Sequence, residues 1–153
     1  MPTIITAERP DTPDAIQLIE ELDGELGPLY PIESQHGYSI EKLLKRNVAF
    51  FVTRHEHIAA GCGGIQLFGR EYGEVKRMYV RPAFRGLGLG QLMLERLAKH
   101  AKDNEVNILR LETGIHQPNA IALYERWGFK RIPPFGDYKE DPLSIFYEKK
   151  STG

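Results

Sequence analysis

With one cysteine, Cys62, the chain has no partner for an internal disulfide. Nor does any apolar run approach the roughly 20 residues that a membrane-spanning helix requires. The first residues lack the basic-then-apolar pattern of a secretory signal, so the expected location is cytoplasmic, away from membranes. Charge of one sign is missing too: 20 Lys+Arg stand against 21 Asp+Glu, a net charge of −1, which supplies no basic face to collect nucleic acid. There is no internal repeat, low-complexity tract or interdomain linker. At 153 residues, 41% hydrophobic and 27% charged, the chain fits one domain over 1–153 with a single core.

Elements follow from periodicity and punctuation. Thr3-Ile4-Ile5-Thr6-Ala7 reads as a β-branched strand, and Thr12-Pro13 as a cap with proline at the first helical position. The helix that follows carries Ala15, Ile16, Ile19 and Leu22 on one face, with Gly24 and Gly27-Pro28 as its stop. From Gly27 to Ser39 the chain is loop-like and bears Tyr30, His36 and Tyr38. A connection of that length either overhangs a site or is a mobile surface loop. A short helix over Ile40 to Lys45 precedes Val48 to Val52, an unbroken apolar strand expected to be buried on both faces.

Arg54-His55-Glu56-His57 reads as a polar hairpin turn. His55 and His57 have no third ligand nearby, and no metal is expected. Strands over Ile58 to Leu67 and Glu71 to Val80 follow, then a helix from about Gly88 to Asp103. That helix buries Leu89, Met93, Leu94, Leu97 and Ala101 and pairs Glu95 with Lys99 on its outer face. Ile108 to Thr113 is a fifth strand. Pro118 opens a helix striped by Ala120, Leu123, Tyr124 and Trp127 and stopped by Gly128; strands near Phe129 to Ile132 and over Ser144 to Glu148 complete the chain. The order β-α-α-β-β-β-α-β-α-β-β predicts an α/β (mixed α+β) fold, a single central mixed sheet of about seven strands with helices on both faces. Cys62, in an apolar glycine-rich strand without a neighbouring base, reads as a buried small residue and not a nucleophile.

Chemistry enters at Arg85-Gly86-Leu87-Gly88-Leu89-Gly90, between a strand and an amphipathic helix. Glycines let the backbone turn tightly and aim N–H groups at an anion, and the helix start adds partial positive charge. Gly86, Gly88 and Gly90, with the N–H groups around Leu89, read either as a pyrophosphate cradle to which Arg85 and Gln91 could add side-chain donors or as a flexible loop ahead of a helix start. A dinucleotide fingerprint from Gly86 would need glycine at Gln91, and no Gly-Lys-Ser/Thr follows to make a P-loop.

The stretch Gly73 to Pro82 followed by Arg85 to Gly90 resembles the central signature of the GNAT acetyltransferases, a Gln/Arg-x-x-Gly-x-Gly/Ala loop after a strand. A second match lies at Asn119 to Phe129. The resemblance spans Ile4 to Lys149, strongest from Gly73 to Phe129. Pro134 to Tyr138, with Asp141-Pro142 and Ser144, looks like a branch of small prokaryotic members.

The resemblance implies a GNAT-like acyl-CoA N-acyltransferase fold that moves acetyl from acetyl-CoA to the primary amine of a small-molecule acceptor, with no metal and with edge-strand dimers common. It places the backbone of Met78, Tyr79 and Val80 along the pantetheine arm between splayed fourth and fifth strands. It assigns Asn119 to that arm, where the alternative is a helix cap. By the same likeness Glu74 is the general base, unless it merely faces solvent at a strand start, and Tyr124 the general acid toward the thiolate, unless it is core alone. Lys76 and Arg77 could clamp a carboxylate on the acceptor or form a solvated edge, and Tyr30 and Tyr38 are further acceptor-side candidates. Two other functions fit the same cofactor site: acetylation of a protein lysine or N-terminus, and non-catalytic acyl-CoA binding.

Overall fold

The computed structural model describes residues 2–151. Seven strands and four helices follow in the expected order: β1 (Thr3–Ala7), α1 (Pro13–Leu26), α2 (Ile40–Lys45), β2 (Ala49–His55), β3 (Ile58–Phe68), β4 (Tyr72–Val80), α3 (Leu89–Asp103), β5 (Ile108–Gly114), α4 (Pro118–Trp127), β6 (Lys130–Ile132) and β7 (Ser144–Lys150). They form one mixed sheet in the order β1-β2-β3-β4-β5-β7-β6. Among the described residues no helix is long and apolar enough to cross a membrane.

Both faces of the sheet are covered, which explains the unbroken apolar run in β2. Phe50 and Val52 pack toward α1 and α2 with Leu18, Ile19, Leu22 and Leu43, while Phe51 joins Met93, Leu94 and Leu97 of α3 on the other side. Thr12 caps α1 as expected, its Oγ1 accepting from the Ala15 N–H at 3.3 Å. Three local expectations need correction. The first helix runs through Gly24 to Leu26 and buries Leu18 where Ile16 was expected, because burial on one face outweighs a single glycine's propensity cost of about 1 kcal/mol. Arg54 and His55 remain in β2, and only Glu56 and His57, both at positive φ, make the hairpin turn. Lys99 pairs with Asp103 at 2.8 Å, not with Glu95, which accepts from Gln91 instead.

The sheet has two irregularities that position the site. In β4 the pairing steps from Cys62↔Tyr79 to Gly64↔Lys76, so two residues of β4, Arg77 and Met78, oppose one of β3, Gly63, and Arg77 sits at φ 55°. This bulge inverts the alternation of side chains. Val75 and Met78 lie in the α3-side core, whereas Arg77 and Tyr79 turn toward α1. The second irregularity is the parallel pairing of β4 with β5, confined to Gly73↔Leu109 and Glu74↔Arg110; beyond it the strands diverge. The splay expected between the fourth and fifth strands is therefore present.

Candidate active site

Two cavities open where β4 and β5 part. One, of about 210 Å³, lies against Met78, Tyr79, Val80, Arg85, Gly90, Asn119 and Tyr124. The other, of about 320 Å³, is bounded by Glu74, Lys76, Glu112, Tyr30, Tyr38 and Tyr138 among others. Leu22, Met78, Gln117 and Tyr124 border both, so Tyr124 stands at their junction.

Beside the first cavity α3 begins at Gly88, which adopts φ 79°, with Gly86 at φ 87°. A Cβ on either glycine would meet open space, so backbone conformation and not crowding demands them. At Gly90 the reason differs: a Cβ would come within 2.7 Å of a Leu123 methyl, so this glycine lets α3 and α4 approach. The helix start has no side-chain cap, and the first-turn N–H groups of Leu89, Gly90 and Gln91 are donors with no intrahelical acceptor. Leu89 buries its side chain and Gln91 points outward to Glu95. Arg85 donates to the Val80 carbonyl at 3.0 Å and pairs with Glu25 of α1 at 3.0 Å, and both residues line this cavity. Asn119 is not the cap of α4. That position belongs to Gln117, and Asn119 lines the cavity instead.

The second cavity is bordered by the Gly27 to Ser39 segment, which is loop apart from two short 3-10 turns. Hydrogen bonds hold it down at several points. The Tyr30 hydroxyl accepts from the His116 N–H at 3.0 Å and donates to Gln117 Oε1 at 3.3 Å. Ser34 Oγ donates to Asp141 at 2.7 Å, and Tyr38 Oη to Gln66 Oε1 at 2.7 Å.

Glu74 does not face solvent. Its carboxylate accepts from Tyr138 Oη and lies 2.7 Å from Lys76 Nζ, itself 3.9 Å from the centre of the Tyr38 ring. Burial lowers the Lys76 pKa from its ordinary value, opposed by the adjoining Glu74 charge. Lys76 is thus already engaged and not a free clamp. Arg77, carried by the bulge toward α1, pairs with Asp23 and donates to the Ile19 carbonyl at 3.4 Å. The Tyr124 phenol is buried, and burial pushes its pKa up, with the Glu112 charge adding to the rise. Cys62 behaves as expected: its thiol is buried, hydrogen-bonded to the Arg77 carbonyl at 3.3 Å, and pushed up to about 12.

Sequence reasoning missed Glu112, Gln117 and Tyr138. Glu112 sits in the alternating pattern of β5 and reads as an outward residue, while Tyr138 follows a Pro-Pro-Phe-Gly loop whose landing place no local pattern reveals. The one available signal was the run Pro134 to Ser144: its Tyr138, Asp141 and Ser144 all bond to residues around the second cavity.

The acetyltransferase (GNAT) family model matches residues 15–129. An IAA acetyltransferase of Azospirillum brasilense is 45% identical over 97% of this chain and 99% of its own length. A putative acyl-CoA N-acyltransferase from Klebsiella pneumoniae superposes with a TM-score of 0.83 at 36% identity, covering 98% of both chains. A PaiA N-acetyltransferase from Thermoplasma acidophilum, solved in complex with coenzyme A, shares the fold at a TM-score of 0.78 and 21% identity, over 98% of this chain and 99% of that one.

Proposed function

The chain belongs to the GNAT acetyltransferase family, and from that premise we propose that it transfers acetyl from acetyl-CoA directly to the primary amine of a small-molecule acceptor. The observation that carries this reading is the pair of cavities meeting at Tyr124, one beside an uncapped glycine-rich helix start and the other bordered by the Gly27 to Ser39 segment. A cavity of about 320 Å³ has room for a compact acceptor. The relative named as an IAA acetyltransferase supports a small-molecule acceptor as well.

Residues of the first cavity fit the donor. The N–H groups of Leu89, Gly90 and Gln91 would hold the pyrophosphate, with Gly86 and Gly88 keeping the approach clear. Arg85 would exchange its bond to Glu25 for a phosphate. The backbone of Met78, Tyr79 and Val80 has no β5 partner and would pair with the pantetheine amides, with Asn119 opposite. The donor supplies a thioester, an acyl group activated for attack.

An aliphatic ammonium with a lysine-like pKa near 10.4 costs about 4–5 kcal/mol to deprotonate at pH 7, so a carboxylate beside the acceptor lowers the barrier. Glu74, the base expected from the family likeness, and Glu112 both border the acceptor cavity. Tyr124, kept protonated by burial, would donate toward sulfur as the thiolate leaves. The test is release of free CoA thiol with glycine, L-methionine, tryptamine, spermidine, kanamycin and a lysine-bearing peptide. Turnover with one or more of the small amines is expected. Turnover with the peptide alone would hand the cavity to a protein side chain, and none with any amine would leave acyl-CoA binding without transfer.

A further inference from the structure

The two carboxylates of the acceptor cavity are held in different ways. Glu74 is walled in, its side chain 5% exposed and its Oε2 shared between Lys76 Nζ and Tyr138 Oη. Were Glu74 to take a proton, the Lys76 ammonium, 6% exposed, would lose its counter-ion inside the protein. Breaking a buried pair in that way is strongly unfavourable. Glu74 is therefore held as one half of a buried ion pair.

Glu112 is placed otherwise. It stands on β5 two residues past the last pairing with β4, where the strands have parted, and it borders the cavity. Its one side-chain hydrogen bond comes from Ser144 Oγ at 2.8 Å, and among the described residues no Lys, Arg or His nitrogen lies within 4.0 Å of its carboxylate. The side chain keeps some accessible surface although protein surrounds it on most sides. Burial lifts its pKa above the ordinary glutamate value. The Ser144 hydrogen bond, His36 and Lys76 pull the other way, and the Glu74 charge adds to the rise. The phenols of Tyr30, Tyr124 and Tyr138 also feel its charge. A carboxylate with a raised pKa that carries no fixed counter-ion is a stronger proton acceptor near neutrality than one locked in an ion pair.

We propose that Glu112 takes the proton from the acceptor ammonium, that Ser144 positions it, and that Glu74 serves as the fixed counter-ion of Lys76. This inference rests on the acetyltransferase reading above. Glu112 accepts one proton from R–NH3+ and leaves a free amine, whose lone pair forms the bond to the acetyl carbon. As the carbon–sulfur bond breaks, Tyr124 protonates the departing thiolate. The second proton lost from nitrogen restores Tyr124, and Glu112 returns its own to solvent. The products are R–NH–CO–CH3, HS-CoA and one proton.

The test compares pH–rate profiles of wild type, Glu112→Gln, Glu74→Gln and Ser144→Ala, using whichever panel amine gives the fastest wild-type thiol release. Stabilisation by acetyl-CoA in a thermal melt checks that each variant is folded. Wild type should lose activity below an acid limb set by Glu112, since only the ionised form accepts a proton. In Glu112→Gln the rate at pH 7 should fall on the order of 10²-fold and then climb about tenfold per pH unit, because free amine must come from solvent. The limb should survive in the other two variants but move in opposite directions. Ser144→Ala should shift it upward, as the anion loses a donor, and Glu74→Gln downward, as a like charge disappears. An acid limb abolished by Glu74→Gln and unmoved in Glu112→Gln would overturn the proposal, and an unmoved limb in Ser144→Ala would remove the positioning role.

Should Glu112→Gln fail to fold, carbon-13 NMR of glutamate carboxyls in the wild-type chain decides without turnover. A carboxyl titrating above the usual range, and higher still in Ser144→Ala, is expected. Its absence would sink the assignment. Failure of every panel amine with wild type would instead defeat the acetyltransferase reading.

Discussion

Tyr124 belongs at once to the core and to the junction of the two cavities. Its ring packs on Phe129 at 5.7 Å while the residue borders both spaces. Packing fixes where the phenol sits, and burial keeps it protonated. Tyr124→Phe preserves the ring and so its packing, and removes only the proton donor. Its kcat should fall on the order of 10²-fold, with acetyl-CoA stabilisation in a thermal melt little changed, because the O–H matters once charge gathers on sulfur. An unchanged kcat would transfer that role to another group or to water.

Among the elements, the start of α3 carries the proposed donor site. Three consecutive N–H groups and the partial positive charge of a 15-residue helix converge there, and Gly88 at φ 79° aims them. Asp and Asn have nearly the same shape, and both tolerate the left-handed region better than most residues. Comparing Gly88→Asp with Gly88→Asn therefore isolates charge from backbone strain. Acetyl-CoA should raise the melting temperature of wild type and, less strongly, of Gly88→Asn, whereas Gly88→Asp should lose the effect. Equal stabilisation of the two variants would place the phosphates elsewhere.

Across the whole molecule, segments far apart in sequence border the proposed acceptor cavity. Tyr30 of the Gly27 to Ser39 segment bonds His116 and Gln117 beyond β5, and an added Cβ at Gly114 would fall on its phenol. Gly114→Ala should therefore expel Tyr30, cost about 1–3 kcal/mol of stability in denaturant unfolding, and raise acceptor KM while acetyl-CoA stabilisation persists. An acceptor KM equal to wild type would show that Tyr30 does not shape that cavity. Much of this molecule was readable in the chain itself, because element order, the glycine-rich helix start and the stripes of α3 and α4 depend on short-range periodicity and backbone sterics. The splay is a different matter, since the likeness to a family implied it and no local pattern did. Tertiary structure alone decided that Glu74 would be tied to Lys76 and Tyr138 and that Glu112 would face the cavity with Ser144 behind it. It also decided that a one-residue bulge would send Arg77 to Asp23. Those outcomes depend on strand register and on contacts such as Tyr138 with Glu74, 64 positions apart, which local spacing does not encode.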